Sequence, residues 1–373
     1  MSVEILNFLQ GRIDAGDFPS AVYLVAEKGE IVLHEALGHA VVEPELIEAR
    51  KDTIYDLASL TKVLVTGLLA ASQIENESVT LESRLGYEVY GFNNSPVADL
   101  TIRDLATHTS GLPAWLPLYL IADSASPKDL AAVIRMQALS PRQVNYSDLN
   151  FILLALAIEG PRPDTEFQLW VAATLGLNRT AFNPLSCGFA RSEIAASEKG
   201  NAFEKQTCIE KGYLQPPATA GGSDKFRSNI IWGQVHDNNA YFMGGVAGHA
   251  GLFSTAEEVF KIAQQFLPNH TTLIKPETCA MFRTNYTPGM KEHRSFAFQL
   301  ASTPESTAGT KMSPESFGHL GFTGTSLWID PVKERVFILL TNRTHNRELP
   351  FENINFVRKR FHDLAIDHLD RIS

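Results

Sequence analysis

The sequence is short of cysteine, of long apolar runs and of clustered basic residues. Three cysteines, Cys187, Cys208 and Cys279, occur in 373 residues, with no metal-binding spacing and in an odd number. We therefore expect isolated, reduced thiols. No apolar run approaches the roughly 20 residues that a membrane-spanning helix needs, so no contact with a membrane is predicted.

Positive charge is scarce as well. The formal net charge is −10, and no run of lysine and arginine is present, so nucleic acid is not a predicted partner. The first ten residues lack a basic start, a long apolar stretch and a small-residue cleavage site, which predicts no signal peptide and a cytoplasmic location. The 44% of hydrophobic and 20% of charged residues are typical of a globular protein with one large or two ordinary domains.

Strand and helix patterns are found near both ends of the chain. An amphipathic helix over 3–15 precedes two strands, 21–26 and 31–36, whose turn residues predict a hairpin. The C-terminal part predicts a helix over 255–266, strands over 295–300, 324–330 and 335–341, and a last helix from after Pro350 to about 372. The turn at Asp330-Pro331 makes the last two strands antiparallel neighbours.

The middle of the chain, from about 75 to 240, has short helical patterns that are interrupted at 91–96, Pro113, Pro141, Pro161 and Pro163. We therefore predict an α/β fold of the α+β type. Residues 1–55 and 245–373 form an antiparallel sheet flanked by helices, and residues 56–244 form an inserted, mostly helical domain. The cleft between the two is the expected ligand site.

The segment from Asp56 to Lys62, DLASLTK, is the first candidate for chemistry. Positions i and i+3 of a helix share one face, so Ser59 and Lys62 would lie side by side at the start of an apolar helix. A desolvated lysine loses basicity, and a neutral amine can activate a serine hydroxyl. By itself the motif favours a helix N-terminus with Ser59 near the cap and a lysine whose charged end reaches solvent.

A second candidate is Val144-Asn-Tyr-Ser-Asp148, just before the apolar segment 151–157. A tyrosine at such a loop-to-helix junction can project into a cleft, and a phenol near an ammonium can act as a base. The alternative is a buried Tyr146 with a satisfied hydroxyl and Asp148 as a helix cap.

A third candidate is the glycine-rich segment 317–325, FGHLGFTGT, which opens a strand. Glycines let a substrate lie against a strand edge, where backbone N–H groups can bind a carbonyl oxyanion. The alternative is a glycine cluster at a sheet edge, with His319 in a structural role.

Together and in this order, the three segments resemble the S-x-x-K, Tyr-x-Asn/Asp and Lys/His-x-Gly motifs of the β-lactamase-related serine hydrolases. This group includes class C β-lactamases, D-alanyl-D-alanine peptidases and related esterases. The blocks at 105–113, 235–240, 244–255 and 321–331 are similar to recurring blocks of the same group. The resemblance covers about residues 10–345 and implies the serine β-lactamase/transpeptidase-like fold.

The resemblance implies a role for each matched residue. Ser59 is the implied nucleophile, and Lys62 and Tyr146 share the tasks of accepting its proton and delivering it to the leaving group. The backbone N–H groups of Ser59 and Phe322 form the implied oxyanion hole. The implied substrate contacts are Asp148, His319 and Gly321.

Two positions depart from the family pattern. Asp148 replaces the asparagine usual in β-lactamases, and we expect its carboxylate to hold Lys62 cationic and to shift the role of base to Tyr146. His319 replaces the lysine of many relatives and would be a weaker, pH-dependent cation for a substrate carboxylate. Both departures favour an esterase or a peptidase-like enzyme over efficient penicillin hydrolysis.

The resulting prediction is a serine hydrolase that acts on a carboxylic ester or amide of a small molecule or peptide through an acyl-enzyme, without metal or organic cofactor. A β-lactamase or D-Ala-D-Ala carboxypeptidase is one alternative, which the expected cytoplasmic location disfavours. A non-catalytic peptide-binding protein on the same scaffold is another. The oligomeric state is left open.

The remaining candidates are histidines and aromatic residues in loops. His236, Asp237 and His249 lack the spacing of a metal site, so we predict that they brace loops by hydrogen bonds. His108 has the same predicted role. Trp115 and Tyr119 are predicted at the mouth of the cleft.

Overall fold

The computed structural model describes residues 2–89, 92–158, 163–214 and 225–372. Gly91 and Pro161, two of the predicted helix interruptions, lie outside the described residues. The strands are β1 (Ser20–Glu27), β2 (Glu30–Val41), β3 (Ile47–Glu48), β4 (Tyr55–Asp56), β5 (Ala181–Phe182), β6 (Ala196–Lys199), β7 (Ile230–Trp232), β8 (Leu252–Ser254), β9 (Gln299–Leu300), β10 (Phe317–Leu320), β11 (Ser326–Asp330) and β12 (Arg335–Thr341).

The α-helices are α1 (Val3–Asp14), α2 (Leu68–Glu75), α3 (Leu85–Glu88), α4 (Ile102–Ala106), α5 (Leu118–Ile121), α6 (Pro127–Ile134), α7 (Asp148–Ile158), α8 (Pro163–Glu166), α9 (Ala173–Leu175), α10 (Ala202–Glu210), α11 (Asn238–Phe242), α12 (Ala256–Ala263) and α13 (Asn355–Ile372). Two segments, Lys62–Gly67 and Phe167–Ala172, are π-helical and lead into α2 and α9.

The main sheet joins the two ends of the chain. Its strands run in the order β3-β2-β1-β12-β11-β10-β9, and every neighbouring pair is antiparallel. The N-terminal strand β1 therefore pairs directly with the C-terminal strand β12, with Leu24 opposite Ile338. This confirms the predicted mixed fold with one antiparallel sheet built from both termini.

Both faces of the sheet are covered. Side chains alternate along a strand, and in β1 the residues Val22 and Leu24 belong to the large core that contains α12. The intervening Tyr23 and Val25 belong to a second core with α1 and α13. Burial on two faces explains why β1 is apolar almost throughout, and it fixes the register of the sheet.

One predicted strand is largely wrong. Of residues 295–300, only Gln299 and Leu300 are in a strand. Ala297 takes a left-handed conformation, with φ +68°, and the Ser295 N–H donates to the Phe298 carbonyl at 3.1 Å, which closes a turn. The apolar alternation that predicted a strand comes instead from Phe296 and Phe298, which pack against Phe282.

The segment 317–325 is a strand and a turn, after which β11 begins. The predicted antiparallel pairing of the last two strands is confirmed, with Trp328 opposite Phe337. The inserted domain over 56–244 remains a prediction, because the large core takes residues from this range and from both flanking ranges.

Candidate active site

A strained turn presents Ser59. The short strand β4 pairs with β8, and the Leu57 N–H donates to the Leu252 carbonyl at 2.9 Å. Ala58 then takes a φ of +47°, which is uncommon for a residue with a side chain. The carboxylate of Asp56 holds this conformation by accepting from the Ala58 N–H at 2.8 Å and from the His236 N–H at 2.6 Å. Ser59 follows, half-buried, at the lining of a cavity.

Lys62 begins the π-helical segment and is completely buried. Its ammonium nitrogen lies 2.9 Å from the Ser59 hydroxyl, 2.7 Å from Asp148 Oδ1 and 3.0 Å from the His249 carbonyl oxygen. These three partners match the three N–H donors of an ammonium group. The predicted proximity of Ser59 and Lys62 is therefore present, although the helix turn is wider than the α-helix that the sequence predicted.

The charge of Lys62 is stabilised in place. Burial opposes that charge, but the carboxylate of Asp148 and the hydroxyl of Tyr146 outweigh burial and raise the pKa of Lys62. The ammonium form expected from Asp148 is thus favoured over the neutral amine.

Tyr146 completes the group around Ser59. The centre of its ring lies 5.2 Å from the Lys62 ammonium nitrogen, and its side chain lines the same cavity as Ser59. Because the Lys62 ammonium donates to the Ser59 oxygen, the Ser59 proton is free to point at the Tyr146 oxygen. Burial raises the pKa of Tyr146 by more than the nearby Lys62 charge lowers it, so the resting side chain is a neutral phenol.

His108 positions the loop that carries Tyr146. Its carbonyl accepts from the Asn145 N–H at 2.8 Å, and its Nδ1 accepts from the Ser147 N–H at 3.1 Å. The two rings of His108 and Tyr146 pack with centroids 4.6 Å apart. These contacts confirm the predicted bracing role of His108.

The turn after β10 is fastened to the serine loop. Thr323 and Thr325 donate their hydroxyls to the carbonyls of Asp56 and Leu57, at 2.8 and 3.0 Å. A Cβ atom on Gly321 would lie 2.5 Å from the Leu57 carbonyl and 1.9 Å from the Thr325 hydroxyl, so only glycine fits there. This close approach brings Gly321 and Phe322 to the same cavity as Ser59.

His319 does not have the predicted charge. Burial, together with the positive charges of Arg294 and Lys62, holds the pKa of His319 well below its usual value. Its Nδ1–H donates to the Leu320 carbonyl at 2.9 Å, which leaves Nε2 as an acceptor without a partner among the described residues. The expectation of a pH-dependent cation at His319 is therefore wrong, while a contact between His319 and substrate stays a prediction.

Arg294, which the sequence analysis missed, is a cationic side chain of the cavity lining next to Tyr146. Its guanidinium carbon lies 5.6 Å from the centre of the Tyr146 ring, and one nitrogen pairs with Glu292 at 2.6 Å. Its Nε and Nη1 are buried and have no hydrogen-bond partner within the described part of the chain. A buried guanidinium with two free donors is suited to bind a carboxylate.

The cavity has a volume of about 480 Å³. Its lining contains Ser59, Tyr146, Asp148, His319, Gly321 and Phe322 from the predicted site, while Lys62 lies beneath it. Trp115 also lines the cavity, as predicted. Tyr119 does not: its side chain is buried, with its hydroxyl 3.4 Å from the sulfur of Cys208, so that prediction is wrong.

The predicted loop-bracing contacts of the other histidines are present. His236 Nε2 lies 2.7 Å from a Glu198 carboxylate oxygen, and His249 Nε2 lies 3.0 Å from Asp237 Oδ1. The fold also brings ligand atoms of Asp148, Asp237 and His249 within 4.8 Å of one another, which the spacing did not predict. The Lys62 ammonium lies beside this group, 2.7 Å from Asp148 Oδ1. Burial acts to raise the pKa of Asp237, but His249 and Lys62 outweigh burial and lower it.

Comparisons with known proteins identify the family of the chain. The family model described as Beta-lactamase matches residues 6–358. A protein of Escherichia coli strain K12 named "Putative D-alanyl-D-alanine carboxypeptidase" is 31% identical over 382 residues, covering 92% of this chain and 84% of that protein.

Solved structures share the fold at low sequence identity. A class C β-lactamase from Rhodobacter sphaeroides is 17% identical with a TM-score of 0.69, covering 98% of this chain and 99% of that one. The structure titled "EstCE1, a hydrolase with promiscuous acyltransferase activity" is 18% identical with a TM-score of 0.68, covering 97% of both chains.

The fold and the match over nearly the whole chain define an enzyme of the β-lactamase type, a serine hydrolase. The chain belongs to the Beta-lactamase family, as its motifs predicted. Within the described residues, no helix is both long and apolar enough to cross a membrane.

Proposed function

We propose that this protein cleaves an ester or amide bond with Ser59 as the nucleophile. The observation that carries the proposal is the position of the Ser59 hydroxyl, 2.9 Å from the Lys62 ammonium, with Tyr146 in the same cavity lining. Such a set of groups activates a hydroxyl and protonates a leaving group. A serine in a purely structural turn would need neither partner.

In this mechanism the Ser59 oxygen attacks the carbonyl carbon of the substrate, and the Ser59 proton passes to the Lys62–Tyr146 pair. The backbone N–H groups of Ser59 and Phe322 bind the oxyanion. Collapse of the intermediate breaks the bond to the leaving group, which takes a proton from Tyr146. Water then attacks the acyl-enzyme and loses a proton to the same pair. The bond between the acyl carbon and the Ser59 oxygen breaks, the pair returns that proton to Ser59, and the acid is released.

The resting protonation states set a condition on this route. Lys62 is held as an ammonium and Tyr146 as a phenol, because the pKa of each is raised. One of the two must lose a proton before the pair can accept the Ser59 proton. Acylation should therefore speed up as the pH rises from neutrality.

Arg294 favours a leaving group that carries a carboxylate. It contacts the ring of Tyr146, the group that would protonate the leaving group, and two of its nitrogens have no hydrogen-bond partner among the described residues. An amino acid released from the C-terminus of a peptide has such a carboxylate. This observation supports the carboxypeptidase alternative over an esterase of neutral substrates, in line with the name of the Escherichia coli relative. A cleft between two domains, the contact of Asp148, His319 and Gly321 with substrate, and a cytoplasmic location stay predictions.

Active-site labelling followed by peptide mapping tests the nucleophile. A fluorophosphonate should modify Ser59, and a p-nitrophenyl ester should give a burst of one p-nitrophenol per protein molecule. Modification at another residue, or tight peptide binding with no label and no burst, would contradict the proposal. Nitrocefin measured in parallel shows whether a β-lactam is also turned over.

A further inference from the structure

The cavity wall around Phe322 is distinct from the wall around Tyr146. The leaving group must lie next to Tyr146 to receive its proton, so the acyl group of the substrate extends towards other parts of the lining. Phe322 contacts Phe203 of α10 at 4.7 Å between ring centres and stacks on His236 at 5.3 Å. Helix α10 thus supplies part of the wall available to the acyl group, and it places Glu204 in the lining.

Glu204 is a buried acid with one unused oxygen. Glu204 is 6% exposed, and its Oε1 accepts a hydrogen bond from the Asn238 N–H at 2.8 Å. The Tyr119 hydroxyl interacts with this carboxyl group, whereas Oε2 has no hydrogen-bond partner among the described residues.

The other acids of the cavity have cationic or histidine partners. Asp148 pairs with Lys62 at 2.7 Å, and Asp237 pairs with His249 at 3.0 Å. Glu204 has no ion pair within the described residues. The nearby Arg227 is already engaged, since it donates to the Asn201 side chain and to two backbone carbonyls.

The electrostatic environment of Glu204 favours a bound cation. Burial and the negative charge of Asp237 raise the pKa of Glu204 to about 8, so the empty site holds a proton at neutral pH. A positive group placed at Oε2 would replace that proton and balance the negative charge of the ionised Glu204 beside Asp237. A substrate carbonyl could only accept the proton of Glu204 and would leave this acid uncharged.

We propose that Glu204 forms a subsite for a primary ammonium group carried by the acyl part of the substrate. This inference rests on the proposed function and gives the substrate a charge at each end: a carboxylate at Arg294 and an ammonium at Glu204. The preferred substrate is then a short peptide or amino-acyl compound with a free amine.

Alkylboronic acids test the subsite, because the boron binds the serine and the alkyl chain takes the place of the acyl group. ω-Aminoalkylboronic acids with three to five carbons are compared with alkylboronic acids in which a methyl group replaces the amine. We expect the amine to lower the inhibition constant by about tenfold at the best chain length. The variant Glu204→Gln should lose this preference, while Glu204→Asp should keep part of it.

Thr207, which lines the same wall, provides the control variant Thr207→Ala. It should keep the preference, and melting temperatures show whether each variant is folded. A preference that is absent in the wild type, survives in Glu204→Gln or disappears equally in Thr207→Ala would overturn the inference alone. Failure of every boronic acid to bind the wild type would overturn the proposed function as well.

Discussion

The group around Ser59 and the wall of the cavity differ in how their polar atoms are satisfied. Around Ser59, the ammonium of Lys62 uses all three donors on protein acceptors. In the wall, buried atoms of Arg294, His319 and Glu204 have no hydrogen-bond partner among the described residues. Buried polar atoms are normally paired, because leaving one unpaired costs about 1–3 kcal/mol.

The difference separates two tasks. The group around Ser59 is saturated in the sense that the Lys62 donors all have protein acceptors. It is held in one geometry before any substrate arrives, which is what catalysis by positioned groups requires. The unsaturated atoms of the wall gain partners only when a ligand supplies them, which is what recognition requires. Variants of the first group should therefore change turnover for every substrate, and variants of the wall should change the choice of substrate.

Ser59→Ala gives the largest expected effect. Loss of the proposed nucleophile should lower turnover of every ester and amide by at least about a thousandfold. Because Ser59 is half-buried in an already strained turn, the free energy of unfolding should change by about 1 kcal/mol or less. Rates with a p-nitrophenyl ester and a denaturant titration measure both quantities. Turnover at the wild-type rate would show that another residue is the nucleophile.

Gly321→Ala should displace the residues around Ser59 through a steric clash. The added Cβ would collide with the Leu57 carbonyl, so the turn after β10 must move away from the serine loop. We expect the free energy of unfolding to fall by about 1–3 kcal/mol and turnover of all substrates to fall with it.

The matched control is Gly11→Ala in α1, where an added Cβ meets no atom within 4 Å. This change should leave turnover unaltered and should raise the stability by up to about 1 kcal/mol. Thermal and chemical unfolding of both variants provide the comparison. Equal effects of the two substitutions would show that the clash at Gly321 is not the cause.

Arg294→Gln should change selectivity rather than overall turnover. The wild type should cleave the acetyl ester of 3-hydroxybenzoate faster than the acetyl ester of 3-methylphenol, because only the first leaving group carries a carboxylate. We expect the ratio of kcat/KM values to fall by about 10- to 100-fold in Arg294→Gln, since a charged hydrogen bond contributes about 1.5–3 kcal/mol. An unchanged ratio would mean that Arg294 does not contact the leaving group.

The sequence predicted the fold, and it predicted that Ser59, Lys62 and Tyr146 lie close together. Apolar alternation near both termini indicated a sheet from the two ends, and the pairing of β1 with β12 confirms it. Ser59, Lys62 and Tyr146 were found because their residue types stand in short motifs of fixed spacing and order. Such patterns can be recognised in the sequence because each motif lies within one turn or one helix end.

The unsaturated wall was harder to predict because its features depend on tertiary packing. Arg294 precedes an apolar alternation that reads as a strand, whereas the left-handed Ala297 turns the chain without a glycine, proline or asparagine as a signal. Glu204 reads as a surface acid of a helix, and only the fold buries it beside Asp237. The predicted charge of His319 was wrong for the same reason, since burial and the positive charge of Arg294 lower its pKa.

Asp148→Asn gives the smallest and most specific effect. Acylation needs the Lys62–Tyr146 pair to have lost one proton, so log kcat/KM should rise with pH and level off above the pKa of the pair. The Asp148 carboxylate raises the pKa of Lys62, and removing its charge lets the pair lose the proton at lower pH. The rising limb should therefore move to lower pH, while the asparagine oxygen can still accept from Lys62. pH profiles with a neutral ester measure the shift, and a limb that stays in place or moves to higher pH would show that Asp148 does not hold the proton on this pair.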